Sequence, residues 1–202
     1  MQGHYIVFES IGKAVLQPFD VPQPKPGEVL IENEYTVVSA GTERANLVNL
    51  PNTSGKFPYY PGYSGVGRVI AVGDGVEDVR VGDRALSDFS GHRSHAIQKA
   101  SSLTVVTDDA VDSLAAAFVV IGAVGLQGVR KLRLEMGESA LVVGLGILGM
   151  FAVQSASLSG AIPVIVTDFD KRRRDLALSV GADHAFGPDE PNLADKVREL
   201  TG

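Results

Sequence analysis

The chain has 202 residues, of which 45% are hydrophobic and 21% charged, and these globular proportions exclude a disordered chain. Its 18 lysines and arginines against 24 aspartates and glutamates give a net charge of −6, so we expect neither a nucleic-acid nor a membrane partner. The absence of cysteine excludes disulfides, thiolate nucleophiles, iron–sulfur clusters and every cysteine-based zinc site. No secretory signal is visible at the N-terminus, which predicts a cytoplasmic protein.

Short β-rich segments separated by glycine and proline turns make up the first half of the chain. Three prolines between residues 21 and 27 force an extended connection that cannot be helical. We therefore predict an all-β domain over residues 1–108. Its predicted strands are His4–Phe8, Ala14–Leu16, Glu28–Ser39, Gly65–Val72, Ala85–Phe89, His95–Lys99 and Leu103–Val106.

The spacing of apolar residues changes from strand-like to helical after Asp108 and Asp109, either of which can cap a helix. Ala110–Leu134 predicts helix, in two pieces interrupted near Gly122 and Gly125. We assign residues 109–136 as linking helices between two domains.

Strands and helices alternate cleanly over residues 137–202. This β-α-β-α-β order predicts a parallel, doubly wound sheet, of which the chain supplies the first half. The predicted strands are Ala140–Val143, Val164–Thr167 and Asp183–Phe186, and the predicted helices run to about Leu158, over Lys171–Val180 and over Asn192–Leu200. The fold class is therefore α/β, with an all-β N-terminal domain and a partial doubly wound parallel sheet.

A glycine motif, Gly144-x-Gly146-x-x-Gly149, follows the first of these strands directly and opens the next helix. Asp168 ends the second strand 19 residues after Gly149. Gly144 permits a tight turn, Gly146 lets the backbone approach a pyrophosphate, and Gly149 lets the helix pack on the strand, as in a Rossmann dinucleotide site. A glycine-rich turn that binds no cofactor is the alternative. The predicted cofactor-binding residues are Gly144, Leu145, Gly146, Ile147, Leu148, Gly149, Asp168 and Arg173.

The charge of Asp168 predicts NAD(H) as the coenzyme, because a carboxylate accepts hydrogen bonds from the adenosine ribose and repels an additional 2′-phosphate. The basic run Lys171–Arg174 leaves NADP(H) open as the alternative, since such residues can grip a 2′-phosphate. At least two of the four are expected to be solvated charges on the first turn of a helix.

The order of an all-β domain, linking helices and a dinucleotide fold resembles the medium-chain dehydrogenase/reductase superfamily, which is alcohol-dehydrogenase-like. The resemblance covers nearly the whole chain and implies a chaperonin-10-like barrel as the catalytic domain. The segments that carry it are Ser39–Glu43, Pro61–Val69, Val81–Arg84, Gly144–Gly149 and Val180–Asp183.

The departures from this family pattern concern its zinc site. Ala40 and Tyr63 stand where the resemblance places the zinc cysteine and histidine, Ser64 replaces the nearby acid, and Val119 falls near the last cysteine. Alanine and valine cannot bind zinc, so the resemblance implies a zinc-independent branch with no metal site.

Two hydroxyls are candidates for catalysis without a metal. Thr42 matches the family position that relays the alcohol proton, and Tyr63 could donate a hydrogen bond to a developing oxyanion. A helix cap before residues 43–47 is the alternative role for Thr42, and a buried aromatic with a bonded hydroxyl is the alternative for Tyr63.

The histidines form no evident metal site. His92 and His95, three residues apart on a strand, would point to opposite faces, so one is expected to face solvent and the other the substrate cleft. His4 and His184 are expected at the surface.

These features together predict a zinc-independent, NAD(P)-dependent oxidoreductase that transfers hydride to or from an alcohol, carbonyl or activated alkene of a small-molecule substrate. The alternative is a dinucleotide-binding sensor or structural subunit without turnover. Because the chain ends after the first half of a coenzyme domain, we expect it to be truncated there, and we expect the complete protein to be a homo-oligomer, a dimer.

Overall fold

A computed structural model describes all residues, 1–202, and divides the chain into two units, Met1–Val120 and Ile121–Gly202. The longest helix has 14 residues, and no helix combines the length and the apolar character that a bilayer span requires.

The first unit consists mainly of antiparallel strands. Its strands are β1 (Gln2–Ser10), β2 (Lys13–Asp20), β3 (Glu28–Thr36), β4 (Gly65–Val72), β5 (Arg84–Leu86) and β6 (His95–Lys99), and its helices are α1 (Ala40–Leu47) and α2 (Ser113–Ala117). Strands β1 and β2 form a hairpin, and the other four form a sheet in the order β5-β4-β3-β6, with Val29 and Ile31 of β3 fully buried.

Several strand predictions in this unit need correction. β3 ends at Thr36 rather than Ser39, and β1 runs over Gln2–Ser10 rather than His4–Phe8. β2 continues through Pro18 to Asp20, because it pairs with β1 alone and an edge strand tolerates a residue without an N–H. β5 stops at Leu86 rather than Phe89. Residues 103–106 form no strand and make only an isolated bridge, between Ala85 and Val105.

The linking helix is interrupted at Phe118 rather than near its glycines. Helix α3 (Val119–Leu132) runs unbroken through Gly122 and Gly125, so the predicted break there is wrong. Both glycines lie against Phe151, and a Cβ at Gly125 would be 2.7 Å from the Cβ of Phe151. These glycines therefore allow two helices to pack closely rather than ending one.

The second unit confirms the predicted parallel sheet. Its elements are β7 (Ala140–Val143), α4 (Ile147–Leu158), β8 (Val164–Thr167), α5 (Lys171–Ser179), β9 (His184–Phe186) and α6 (Leu193–Thr201). The strands lie in the order β7-β8-β9. Side chains of α4, α5, β7 and β8 share its core, with Val153, Val164 and Val166 fully buried. Leu141 and Val143 alternate with Val142 along β7 and remain exposed by 50% and 75%.

Candidate functional site

The glycine motif forms the turn between β7 and α4. Gly144 has a φ of +89°, a left-handed conformation that side chains with a Cβ rarely adopt. Its N–H donates to the carbonyl of Thr167 at 2.8 Å, which joins the turn to the end of β8. A Cβ on Gly149 would lie 2.0 Å from the Gly144 carbonyl oxygen, so only glycine allows α4 to begin this close to β7.

The first turn of α4 presents backbone N–H groups without a capping side chain. Gly146 is the N-cap residue, in an extended conformation, and offers no side chain that could satisfy those groups. Leu145 is 1% exposed and anchors the turn in the core, whereas the N–H groups of Ile147 and Leu148 belong to the helix's first turn. Such an end binds anions, which fits the pyrophosphate of a dinucleotide.

Asp168, at the end of β8, holds this turn through its carboxylate. One oxygen, Oδ2, accepts the N–H of Leu145 at 2.6 Å, and Oδ1 accepts the N–H of Asp170 at 2.8 Å. The Asp170 N–H, then the Leu145 N–H, and the charges of Arg173 and Arg174 hold the pKa of the Asp168 carboxyl below its ordinary value of 3.8. The side chain is therefore a fixed anion, only 11% exposed.

The basic side chains that follow Asp168 interact with different partners. Lys171 pairs with Asp175 at the surface, and Arg174 donates to the carbonyls of Asp168 and Phe169. Arg173 lies 3.8 Å from Asp168 Oδ2 and is 53% exposed, so this cation can reach a ligand at the carboxylate.

A cavity of about 700 Å³ lies beside the Gly144 turn, within the size range of small-molecule sites. The hydroxyl of Thr167, at its wall, is buried and has no hydrogen-bond partner, so a bound ligand could supply one. A second wall of the cavity, formed by α6, was not predicted, although the helical spacing of the apolar residues Leu193, Ala194 and Val197 is a signal for it in the sequence. The lining residues are Leu141, Val143, Gly144, Thr167, Asp168, Phe169, Pro188, Leu193, Ala194, Val197 and Arg198.

The two candidate catalytic hydroxyls both lie in the first unit. Thr42 is exposed and lies inside α1, whose N-cap is Ser39, so the alternative role of Thr42 as the cap is wrong. Tyr63 is half-buried, and its ring stacks on Phe89 with centroids 6.0 Å apart. Proton relay by Thr42 and hydrogen-bond donation to an oxyanion by Tyr63 stay predictions.

A buried pair of ionisable side chains, Glu43 and His92, lies in the same unit. His92 Nε2 is 2.9 Å from Glu43 Oε2, and the two residues are 5% and 7% exposed. His95 is also buried, so the expectation that one of these two histidines faces solvent is wrong. His92 precedes β6 instead of lying on it, which removes the strand geometry behind that expectation. No local sequence pattern links positions 43 and 92.

The residues at the family's zinc positions do not fit a zinc ion. Ala40 has no donor atom, Val119 likewise has none, and the Ser64 hydroxyl is buried and donates to the carbonyl of Ala117. No three or more His, Cys, Asp or Glu side chains in the chain lie together as a metal-binding group. Tyr63 is the only one of these residues whose polar side chain is available for another role.

Comparison with protein families matches both units. The alcohol dehydrogenase GroES-like domain matches residues 25–129, just over half of the chain, and the zinc-binding dehydrogenase family matches residues 148–202. L-threonine 3-dehydrogenase of Pyrococcus furiosus is 29% identical over 221 positions, covering 93% of this chain and 62% of that protein. The chain thus spans about three fifths of the length of this curated relative.

Solved structures share the fold at lower identity. A zinc-binding dehydrogenase of Sinorhizobium meliloti, bound to NADP, has a TM-score of 0.84 and 23% identity over 96% of this chain and 64% of its own. An alcohol dehydrogenase of E. coli complexed with NADH has a TM-score of 0.85 and 21% identity over 98% of this chain and 66% of its own. The chain therefore belongs to the alcohol-dehydrogenase-like family of medium-chain dehydrogenases/reductases, with a GroES-like N-terminal domain followed by a Rossmann-like parallel sheet.

Proposed function

We propose that this protein is a NAD(H)-dependent oxidoreductase that transfers hydride to or from an alcohol, a carbonyl compound or an activated alkene. The observation that carries the proposal is the bond between Asp168 Oδ2 and the Leu145 N–H, because it places a fixed carboxylate against a phosphate-binding glycine turn. The curated relative is named a dehydrogenase, which supports the same reaction class.

The chain's own residues bind and orient the coenzyme, which supplies the hydride chemistry when bound. The N–H groups of Ile147 and Leu148 would hold the pyrophosphate, and Asp168 would accept the ribose hydroxyls. We prefer NAD(H) to NADP(H) because the ionised Asp168 repels a 2′-phosphate, although Arg173 lies near enough to offset part of that repulsion. One similar structure carries NADP and another NADH, so the family accommodates both.

We further propose that the reaction proceeds without zinc. One of the two matching families is the zinc-binding dehydrogenase family, but Ala40 and Val119 supply no ligands in this chain. Tyr63 would then donate its phenolic hydrogen bond to the developing oxyanion, and Thr42 would carry the proton to or from the substrate oxygen.

Fluorescence titration of the full chain with NADH and NADPH tests the coenzyme assignment, and NADH is expected to bind more tightly. Turnover is then assayed with L-threonine, simple alcohols, aldehydes, quinones and polyols in the presence of the preferred coenzyme. Absence of binding by the folded protein would refute the proposal. Tight binding without turnover of any substrate would favour the sensor alternative.

A further inference from the structure

Glu43 and His92 belong to a buried network in which both carboxylate oxygens and both ring nitrogens have a hydrogen-bond partner. Glu43 Oε1 accepts the N–H of Ser39 at 2.8 Å, and Glu43 Oε2 faces His92 Nε2 at 2.9 Å. The other ring nitrogen, Nδ1, is 2.8 Å from the hydroxyl of Thr36. Removing Glu43 would therefore leave His92 Nε2 and the Ser39 N–H buried without a partner.

This network joins two segments that are distant in sequence. Glu43 lies in α1, directly after Thr42. The backbone around His92 is hydrogen-bonded to the loop of Tyr63. The His92 N–H donates to the carbonyl oxygen of Pro61 at 2.8 Å, and the Phe89 N–H donates to the backbone carbonyl oxygen of Tyr63 at 3.2 Å.

The backbone around His92 packs closely against the loop of Tyr63. A Cβ on Gly62 would lie 2.5 Å from the backbone nitrogen of His92, so the two backbones touch directly at this point. A displacement of the His92 backbone is therefore passed to Gly62 and to the adjacent Tyr63.

We propose that Glu43 and His92 are positioning residues that fix α1, with Thr42, against the loop of Tyr63. In zinc-containing relatives the resemblance places metal ligands on these same two segments, at positions 40 and 63, and here a protein hydrogen-bond network connects them instead. The inference rests on the proposed function only in taking Thr42 and Tyr63 as the reacting hydroxyls.

A conservative substitution separates hydrogen bonding from charge. In Glu43→Gln, the amide oxygen can accept the Ser39 N–H while the amide nitrogen donates to His92 Nε2. The ring then carries its proton on Nδ1 and donates to the Thr36 hydroxyl, so every bond is kept without the negative charge. Glu43→Ala removes the bonds altogether.

The experiment compares Glu43→Gln and Glu43→Ala with a matched control, Glu32→Ala. Glu32 is 60% exposed and lies 4.0 Å from the buried His95, so it offers a loose Glu–His pair in the same unit. Amide hydrogen exchange is measured at Phe89, Gly91 and His92, together with kcat, KM and the dissociation constant of the coenzyme.

Glu43→Ala is expected to speed exchange at these three amides by about tenfold or more and to lower kcat, with the coenzyme dissociation constant unchanged. Glu43→Gln should restore both exchange and kcat to near wild type, and its ¹⁵N spectrum should show His92 protonated on Nδ1. Glu32→Ala should alter none of these quantities.

Unchanged exchange in Glu43→Ala, or equal losses in Glu43→Ala and Glu43→Gln, would overturn the proposal. If the alanine variant does not fold, a folded glutamine variant with full protection of the three amides supports the proposal, and one without that protection refutes it. If no substrate is turned over, the proposed function fails, and hydrogen exchange alone still decides the role of the pair.

Discussion

The carboxylate of Asp168 accepts the backbone N–H of Leu145 at 2.6 Å, so the residue that ends β8 also holds the glycine turn that follows β7. In the proposed complex one side chain would thereby serve two parts of the dinucleotide, the ribose that it would contact and the phosphates that the turn would hold. Loss of this side chain should affect both parts.

Asp168→Ala is expected to weaken NADH binding by about 1–3 kcal/mol, because the ribose hydroxyls lose a charged acceptor and the Leu145 N–H loses its partner. The preference for NADH over NADPH should narrow as well. Fluorescence titration with both coenzymes measures this, with Asp175→Ala, an exposed carboxylate that pairs with Lys171, as the control. An unchanged NADH affinity in Asp168→Ala would refute the ribose assignment.

The lowered pKa of Asp168 gives its contribution to stability a defined pH range. Because the folded-state pKa lies below the ordinary 3.8, this contribution is fully present above that value and is lost as the pH falls through the folded-state pKa. Asp168→Asn should therefore cost the same unfolding free energy across the neutral range and progressively less below pH 3.8. Denaturant titrations at several pH values measure the difference, and a cost that grows on acidification would contradict the assignment.

The contribution of Asp88 to stability should change with pH in the opposite direction to that of Asp168. Burial raises the pKa of its carboxyl above 3.8, and its Oδ1 is buried without a hydrogen-bond partner. The protonated form is therefore favoured in the folded state, so this group lowers stability as the pH rises from 3.8 through its folded-state pKa. Asp88→Asn is expected to raise the unfolding temperature at neutral pH and to give no gain below pH 3.8. Thermal melts at both pH values test this, and an equal gain at both would exclude a charge effect.

Gly149→Ala should reduce NADH affinity by about tenfold or more, because its Cβ would lie 2.0 Å from the Gly144 carbonyl and force the start of α4 away from the turn. Gly128→Ala is the matched control on α3, where a Cβ meets nothing within 4 Å. That control should keep full affinity and gain up to about 1 kcal/mol of stability from the better helix former. Equal affinities in the two variants would show that the close approach at Gly149 is not needed for binding.

Purified protein is expected to contain no stoichiometric zinc after dialysis, and its activity should survive chelators, because the positions of the family's ligands hold Ala40, Tyr63 and Val119. Elemental analysis measures the metal content directly. About one zinc per chain would refute the zinc-independent assignment and direct attention to His92, His95, Glu43 and Asp88 as ligands.

The second unit followed from the sequence almost residue by residue. Ala140–Val143 and Val164–Thr167 are strands with the predicted bounds, because each is a short apolar run that ends at a polar or turn residue, Gly144 or Asp168. The same local signals placed Asp168 beside the glycine turn. Its bond to Leu145 is set by the parallel pairing of β7 with β8 and follows from that topology.

The errors arose where contacts between distant residues decide the structure. Glycine is a poor helix former, so Gly122 and Gly125 predicted a break, but packing against Phe151 outweighs that intrinsic cost. The Glu43–His92 pair is likewise formed by residues that share no local pattern, and only the folded first unit brings them together.

The position of Gly125 would also give the proposed coenzyme binding a remote point of control. Besides meeting Phe151, a Cβ there would be 3.4 Å from the carbonyl oxygen of Leu148 and 3.5 Å from the nitrogen of Ala152, both in the early turns of α4. A bulkier residue at 125 would therefore tilt the end of α4 that would face the phosphates of the proposed coenzyme, without touching any ligand. Natural variation at this helix crossing could tune coenzyme affinity by degrees while every residue of the glycine motif stays the same.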